Sequence, residues 1–378
     1  MNEGYSQAVT NLANKLESKK SSTIKSLVGF DGFIDEIVHV VKKRVDKDNY
    51  ERELTLKDYG ERIARTSGIS SNVEIVTVSK KVGGNGPIMT NALNELGVNT
   101  SYIGALGYPE VNPIFRDLAA RCEHVYTMCE PSMTDAVEFD DGKIIRTKLS
   151  AFDELSFDMI KERVGLSALA KLMDESTLIS FVNWALPPYS SQIWEGVLKE
   201  VLPLQISNPL EKTLFFDIAD PYSRPQEAVK DILGTIGQFS EYYNVVLGLN
   251  LSEAVQIANL FGGSFDFNAG QLHEVAGYVR KNVNVAILVI HNAKEVACDC
   301  DDGYYHWETA YCRKPKLTTG AGDNFNAGFS LGLALALEPE DALLMGMAVS
   351  GFYIRNARSA NFEELIQFIK LWAKGELD

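Results

Sequence analysis

Several things are scarce or missing in this 378-residue chain. It has no G-x-x-x-x-G-K-[ST] segment and none of the H-R-D and D-F-G elements, which excludes a Walker-type phosphate loop and a protein-kinase site. No apolar run reaches the roughly 18 residues that a membrane span requires. Positive charge is outnumbered, with 36 Lys and Arg against 51 Asp and Glu and a net charge of -15, which argues against non-specific nucleic-acid binding. The five cysteines are an odd set without a secretion signal, and Met1 to Lys25 is polar, so reduced thiols and a cytoplasmic location are expected. Cys298, Cys300, His306 and Cys312 do not follow a zinc spacing and read as a reduced, strand-rich segment. His39, His124, His273 and His291 are scattered and read as structural.

What is present is a rhythm of short apolar runs separated by amphipathic stretches. Ser26–Phe30, Ser101–Ala105, Thr177–Val182, Thr213–Asp217, Val245–Leu249 and Val285–Ile290 read as strands. Helices are expected over Pro87–Leu96, Ser190–Val201, Glu227–Gln238, Ser252–Leu260, Leu272–Lys281, Asn324–Ala336, Pro339–Arg355 and Phe362–Lys374. Such alternation predicts a doubly wound α/β domain with a mostly parallel sheet, spanning 1–378 as one unit. Glu36–Val45, Asn72–Ser79 and Thr134–Leu149 break the rhythm and predict a small separate sheet, a lid within segments 36–80 and 134–149. Arg52–Ser67 reads as an added polar helix.

Thr318-Thr319-Gly320-Ala321-Gly322-Asp323 opens a helix with small residues, where unpartnered first-turn N–H groups and the helix dipole favour an anion. Asp323 inside that cradle has two readings: an acid placed to take a proton from an attacking alcohol, or an ordinary N-cap. Gly83-Gly84-Asn85-Gly86 is a second glycine-rich helix entry, where bare backbone and Asn85 suit a polyol, or where a turn is simply made. Asp31 and Asp35 end an apolar run, where open parallel sheets bind ligands, or lie in a solvated turn. Asn250-Leu251-Ser252-Glu253 follows another strand, as a helix cap or as oxygen ligands to the water shell of Mg²⁺.

The order of these elements resembles the ribokinase-like (PfkB) family of carbohydrate and nucleoside kinases over roughly residues 26–356. The resemblance implies Mg-dependent phosphoryl transfer from a nucleotide, ATP or ADP, to a hydroxyl of a sugar. Asp323 would be the base, with Gly320, Ala321 and Gly322 as an anion hole. Asp31, Asp35, Gly84 and Asn85 would hold the acceptor, and Asn250, Glu253 and Thr319 the nucleotide, with Asn250 and Glu253 organising Mg²⁺ through water. The lid would also serve as a homodimer interface. A nucleoside acceptor, stacking on Phe33, Phe139 or Trp184, and a catalytically silent sugar-binding protein are the alternatives. Leu317 stands where the family pattern has Asp, so no monovalent-cation site is implied. His291-Asn292-Ala293-Lys294-Glu295 replaces the family's T-x-G-x-x-G loop, so donor contacts are expected to differ.

Overall fold

A computed structural model of the chain describes residues 3–207, 209–266 and 270–377. Its larger sheet has nine strands, ordered Gly303–Glu308, Glu295–Cys300, Ile287–His291, Asn244–Asn250, Thr213–Asp217, Leu178–Phe181, Lys25–Phe30, Asn99–Gly104 and His124–Thr127. All neighbours are parallel except the Glu295–Glu308 hairpin, which adds an antiparallel edge. The inner strands are buried on both faces, which explains why they read as continuous apolar runs. Alternate side chains serve separate cores: Leu27, Phe181, Phe216 and Leu247 pack on one face, and Val28, Phe215, Val246 and Val289 on the other. Each expected strand of this sheet is present to within a residue or two.

The expected helices are also present, with small changes at their ends. Ser190–Gly196 continues as a π-type turn over Val197–Val201. The polar helix shortens to Leu56–Ala64, because Thr55 caps it by accepting from the Asp58 N–H at 3.0 Å and Tyr50–Arg52 is a strand. Four helices are unexpected: Glu3–Glu17, Arg116–Arg121, Phe157–Arg163 and Leu166–Glu175. Glu3–Glu17 sits in the stretch read as merely polar, yet Val9, Leu12, Ala13 and Leu16 form a narrow buried stripe against the C-terminal helix Phe362–Ala373. No helix among the described residues is long and apolar enough to cross a membrane.

The second sheet is five-stranded and contains Phe33–Arg44, Tyr50–Arg52, Ile75–Gly83, Ser132–Phe139 and Gly142–Lys148. Period-two alternation gives it two unlike faces. Asp35, Ile37, Thr134, Ala136, Lys143 and Ile145 face a cavity over the main sheet. Val38, Val40, Val137 and Phe139 face outward, where Leu56 and Tyr59 of the polar helix cover them and Tyr59 stacks on Phe139 at 5.4 Å.

Candidate active site

The C-terminal ends of the parallel strands converge at one rim, which is where ligands bind in open α/β sheets. Asp31, just past Lys25–Phe30, is fully buried and accepts from the Asn85 and Gly86 N–H groups at 3.0 and 2.9 Å and from the Asn183 amide at 2.6 Å. It therefore anchors the start of the Asn85–Glu95 helix rather than facing a ligand, and burial raises its carboxyl to about 6 despite those donors. Gly84 caps this helix at φ +95°, and a Cβ there would lie 3.0 Å from the Asp31 carboxylate.

Held in this way, Asn85 donates its side-chain amide to Asp323 at 2.9 Å. Asp323 is the third residue of the Ala321–Ala334 helix, and the cap is Gly320 at φ +88° with no side-chain cap bond. The N-cap reading of Asp323 thus fails: its carboxyl is free to face the cavity. Burial, then the charges of Asp217 and Asp31, push its pKa well above the usual carboxylate range. The Tyr353 hydroxyl donates to the Thr319 carbonyl at 2.8 Å and steadies the loop ahead of the helix.

That loop separates two cavities. One of about 350 Å³ lies under the small sheet and is lined by Phe33, Asp35, Gly84, Asn85, Asn183 and Asp323, among others. Burial raises the Asp35 pKa, while Lys81 and Lys143 oppose the shift. The other, about 610 Å³, is largely apolar and reaches Asn250, Ser252, His291, Ala321 and Gly322. Pro315 and Thr318 line both, so the helix start forms their shared wall. Thr319, expected beside a nucleotide, lies instead on the smaller cavity, where the Lys143 ammonium of the small sheet donates to its hydroxyl at 2.6 Å.

Asn250 and Glu253 close a reciprocal capping box: the Glu253 N–H donates to Asn250 Oδ1 at 2.9 Å and the Asn250 N–H to Glu253 Oε2 at 2.8 Å. Burial and the neighbouring Asp217 push Glu253 up to about 9. Asp217, buried at the end of its strand, accepts from the Asn326 amide at 2.9 Å and the Ala219 N–H at 2.7 Å, and burial raises it to about 6. Among the described residues no group of His, Cys, Asp and Glu side chains converges tightly enough to cage a metal alone. Hard oxygen donors with crowded negative charge do suit Mg²⁺ that keeps waters and phosphate in its shell.

Sequence reasoning missed Asp217, Asn183, Lys143 and the cavity position of His291. Asp217 carries the signal that singled out Asp31, an acid ending a buried strand, and Asn183 follows Thr177–Val182 in the same manner. Nothing local marks Lys143. Of the aromatics expected to stack on a base, only Phe33 lines the smaller cavity. Phe139 lies on the outer face of the small sheet, and Trp184 is core, its indole N–H donating to Ser191 at 2.8 Å. Cys298 and Cys300 are buried on the edge hairpin, while His306 pairs with Glu295 at 3.0 Å.

A family model, prokaryotic ketohexokinase, matches residues 2–372. The chain is 30% identical to a ketohexokinase from Haloferax volcanii over 354 residues, covering 93% of this chain and 91% of the relative. Among solved structures, a carbohydrate kinase from Agrobacterium tumefaciens superposes with a TM-score of 0.62 at 15% identity, covering 92% of this chain and 97% of its own. A putative ribokinase II from E. coli, solved in complex with ATP and Mg²⁺, gives 0.60 at 12% identity, covering 92% and 99%.

Proposed function

The chain belongs to the prokaryotic ketohexokinase family of ribokinase-like carbohydrate kinases, and on that premise we propose that it transfers the γ-phosphoryl of Mg-ATP to a hydroxyl of a ketohexose, with Asp323 as the base. The observation that carries this reading is the position of Asp323: on the wall between a cavity of mixed polar and apolar lining under the small sheet and a larger, mainly apolar one, bonded to Asn85 of the second glycine-rich entry.

In this mechanism the sugar occupies the smaller cavity. Asp35 accepts from its hydroxyls, the Asn85 amide orients Asp323, and Asn183 Oδ1, without a partner among the described residues, accepts a further hydroxyl. The nucleotide lies in the larger cavity with its phosphates toward the Gly322 end of the helix start, the Ala321 N–H already donating to the Thr318 carbonyl at 3.1 Å and Gly320 lining the smaller cavity. Asn250 and Glu253 would hold Mg²⁺ through its waters, which neutralises charge on the phosphates. Asp323 takes the hydroxyl proton as the oxygen attacks, and Lys143 sits over the wall where the transferring group passes. The small sheet acts as the lid that excludes water. A sugar is favoured over a nucleoside because Phe33 is the single aromatic of the expected set at the cavity, and it already packs edge-on with Phe152 at 4.9 Å. ADP is the donor to compare with ATP.

The test is product formation from ATP, and separately ADP, with ketohexoses, aldohexoses, pentoses and nucleosides. Phosphorylation led by ketohexoses supports the reading; turnover of nucleosides alone overturns the acceptor assignment.

A further inference from the structure

Where the family resemblance calls for a T-x-G-x-x-G loop, residues 291–295 make a tight turn whose Ala293 and Lys294 carbonyls accept from Thr309 and whose Asn292, Lys294 and Glu295 amides bond within it. Asn292 Oδ1 accepts from the Lys294 N–H at 2.7 Å and the Glu295 N–H at 3.0 Å, and the Asn292 N–H donates to the Glu295 carbonyl at 3.0 Å. These amides are spent inside the turn and cannot also cradle a phosphate. His291 differs. It ends the Ile287–His291 strand, lines the 610 Å³ cavity, and makes no side-chain hydrogen bond to protein among the described residues. Its ring lies against the first turn of the Ala321–Ala334 helix, 4.9 Å from the Phe325 ring, and a Cβ on Gly322 would come within 3.1 Å of His291 Cε1.

The lining of this cavity contains no acidic side chain in a chain that is strongly acidic, and His291 and Arg313 are the lining residues able to carry positive charge. We propose that the His291 imidazole donates to the phosphate chain of the nucleotide, as the donor-recognition residue of this enzyme in place of a backbone loop. The inference rests on the reading of the larger cavity as the nucleotide site. Burial alone holds the free imidazole down at about 4, with no charged neighbour contributing, so in the empty cavity it is neutral. A neutral imidazole keeps one ring N–H, enough to donate to a phosphate oxygen without a change of charge.

The chain has five histidines, so imidazole NMR signals can be assigned by difference with His291→Gln. On adding a non-hydrolysable Mg-ATP analogue to the full chain, the His291 ring signal should shift, and the Ala321 and Gly322 amides with it. His291→Ala should raise the nucleotide KM about tenfold to a hundredfold with the acceptor KM changed little, and His291→Gln, which keeps an N–H donor, should recover much of the loss. Amides that shift while the His291 ring does not would overturn the role of His291 and leave the nucleotide site standing. Analogue binding that moves neither ring nor amides would overturn both.

Discussion

Asn85 and Asp323 are 238 residues apart in sequence and share a hydrogen bond of 2.9 Å, Asn85 donating to the carboxylate. The bond joins the two glycine-rich helix entries. It also fixes which oxygen of Asp323 is left for a substrate hydroxyl. Asn85→Ala should remove that restraint and a donor that favours the ionised carboxylate. Turnover is expected to fall about tenfold to a hundredfold, with a smaller rise in acceptor KM, as steady-state kinetics would reveal.

The pH dependence follows from the crowding of acids behind Asp323. Burial, Asp217 and Asp31 all raise its pKa, so as pH falls the base is protonated earlier than an ordinary carboxylate would be. The acid limb of kcat/KM should therefore lie above the usual carboxylate range. Asp217→Asn removes a negative charge, lowers the Asp323 pKa and should move that limb to lower pH. Profiles of the two proteins with the same nucleotide and sugar would settle the sign; an unmoved limb would contradict the coupling.

Lys143 reaches from the small sheet to Thr319 on the wall between the cavities. Lys143→Met keeps the length of the side chain and removes its charge. About a tenfold to a hundredfold loss of kcat is expected, with nucleotide affinity by calorimetry nearly unchanged, since the charge acts mainly on the group in transfer.

The outer face of the small sheet is already occupied by the chain's own helix. Leu56 and Tyr59 lie over Val38, Val137 and Phe139, and Arg62 donates to the Val41 carbonyl at 2.8 Å. A homodimer through this face would have to displace that cover. We expect light scattering to give the mass of one chain at micromolar concentration, and Phe139→Ala, which empties the small core, to cost about 3 kcal/mol.

Six of the nine strands of the main sheet were legible in the sequence because buried parallel strands are apolar throughout, and Thr213–Asp217 could be placed to the residue; His124–Thr127, Glu295–Cys300 and Gly303–Glu308 toward the two edges were not placed, because polar residues interrupt them. The Ala321 and Asn85 helices were legible from their glycines. The N-terminal helix was not: its buried stripe of Val9, Leu12, Ala13 and Leu16 is narrow and is diluted by polar neighbours. Asp31 was read as a ligand because strand-end position alone cannot distinguish an acid facing a cavity from one holding a helix start, as its bonds to Asn85 and Gly86 do. Lys143 owes its position to tertiary closure between segments far apart in sequence, which no local pattern encodes; His291 was placed at the donor loop by the resemblance, but its side chain read as structural.

The central claim is tested most directly by Asp323→Asn, which keeps the shape of the side chain and removes the base. Calorimetry and initial rates on the same preparation would compare ketohexose and nucleotide binding with phosphoryl transfer. Binding within a few-fold of the parent, with turnover reduced about a hundredfold to ten-thousandfold, is the predicted result. Turnover equal to the parent's would contradict it.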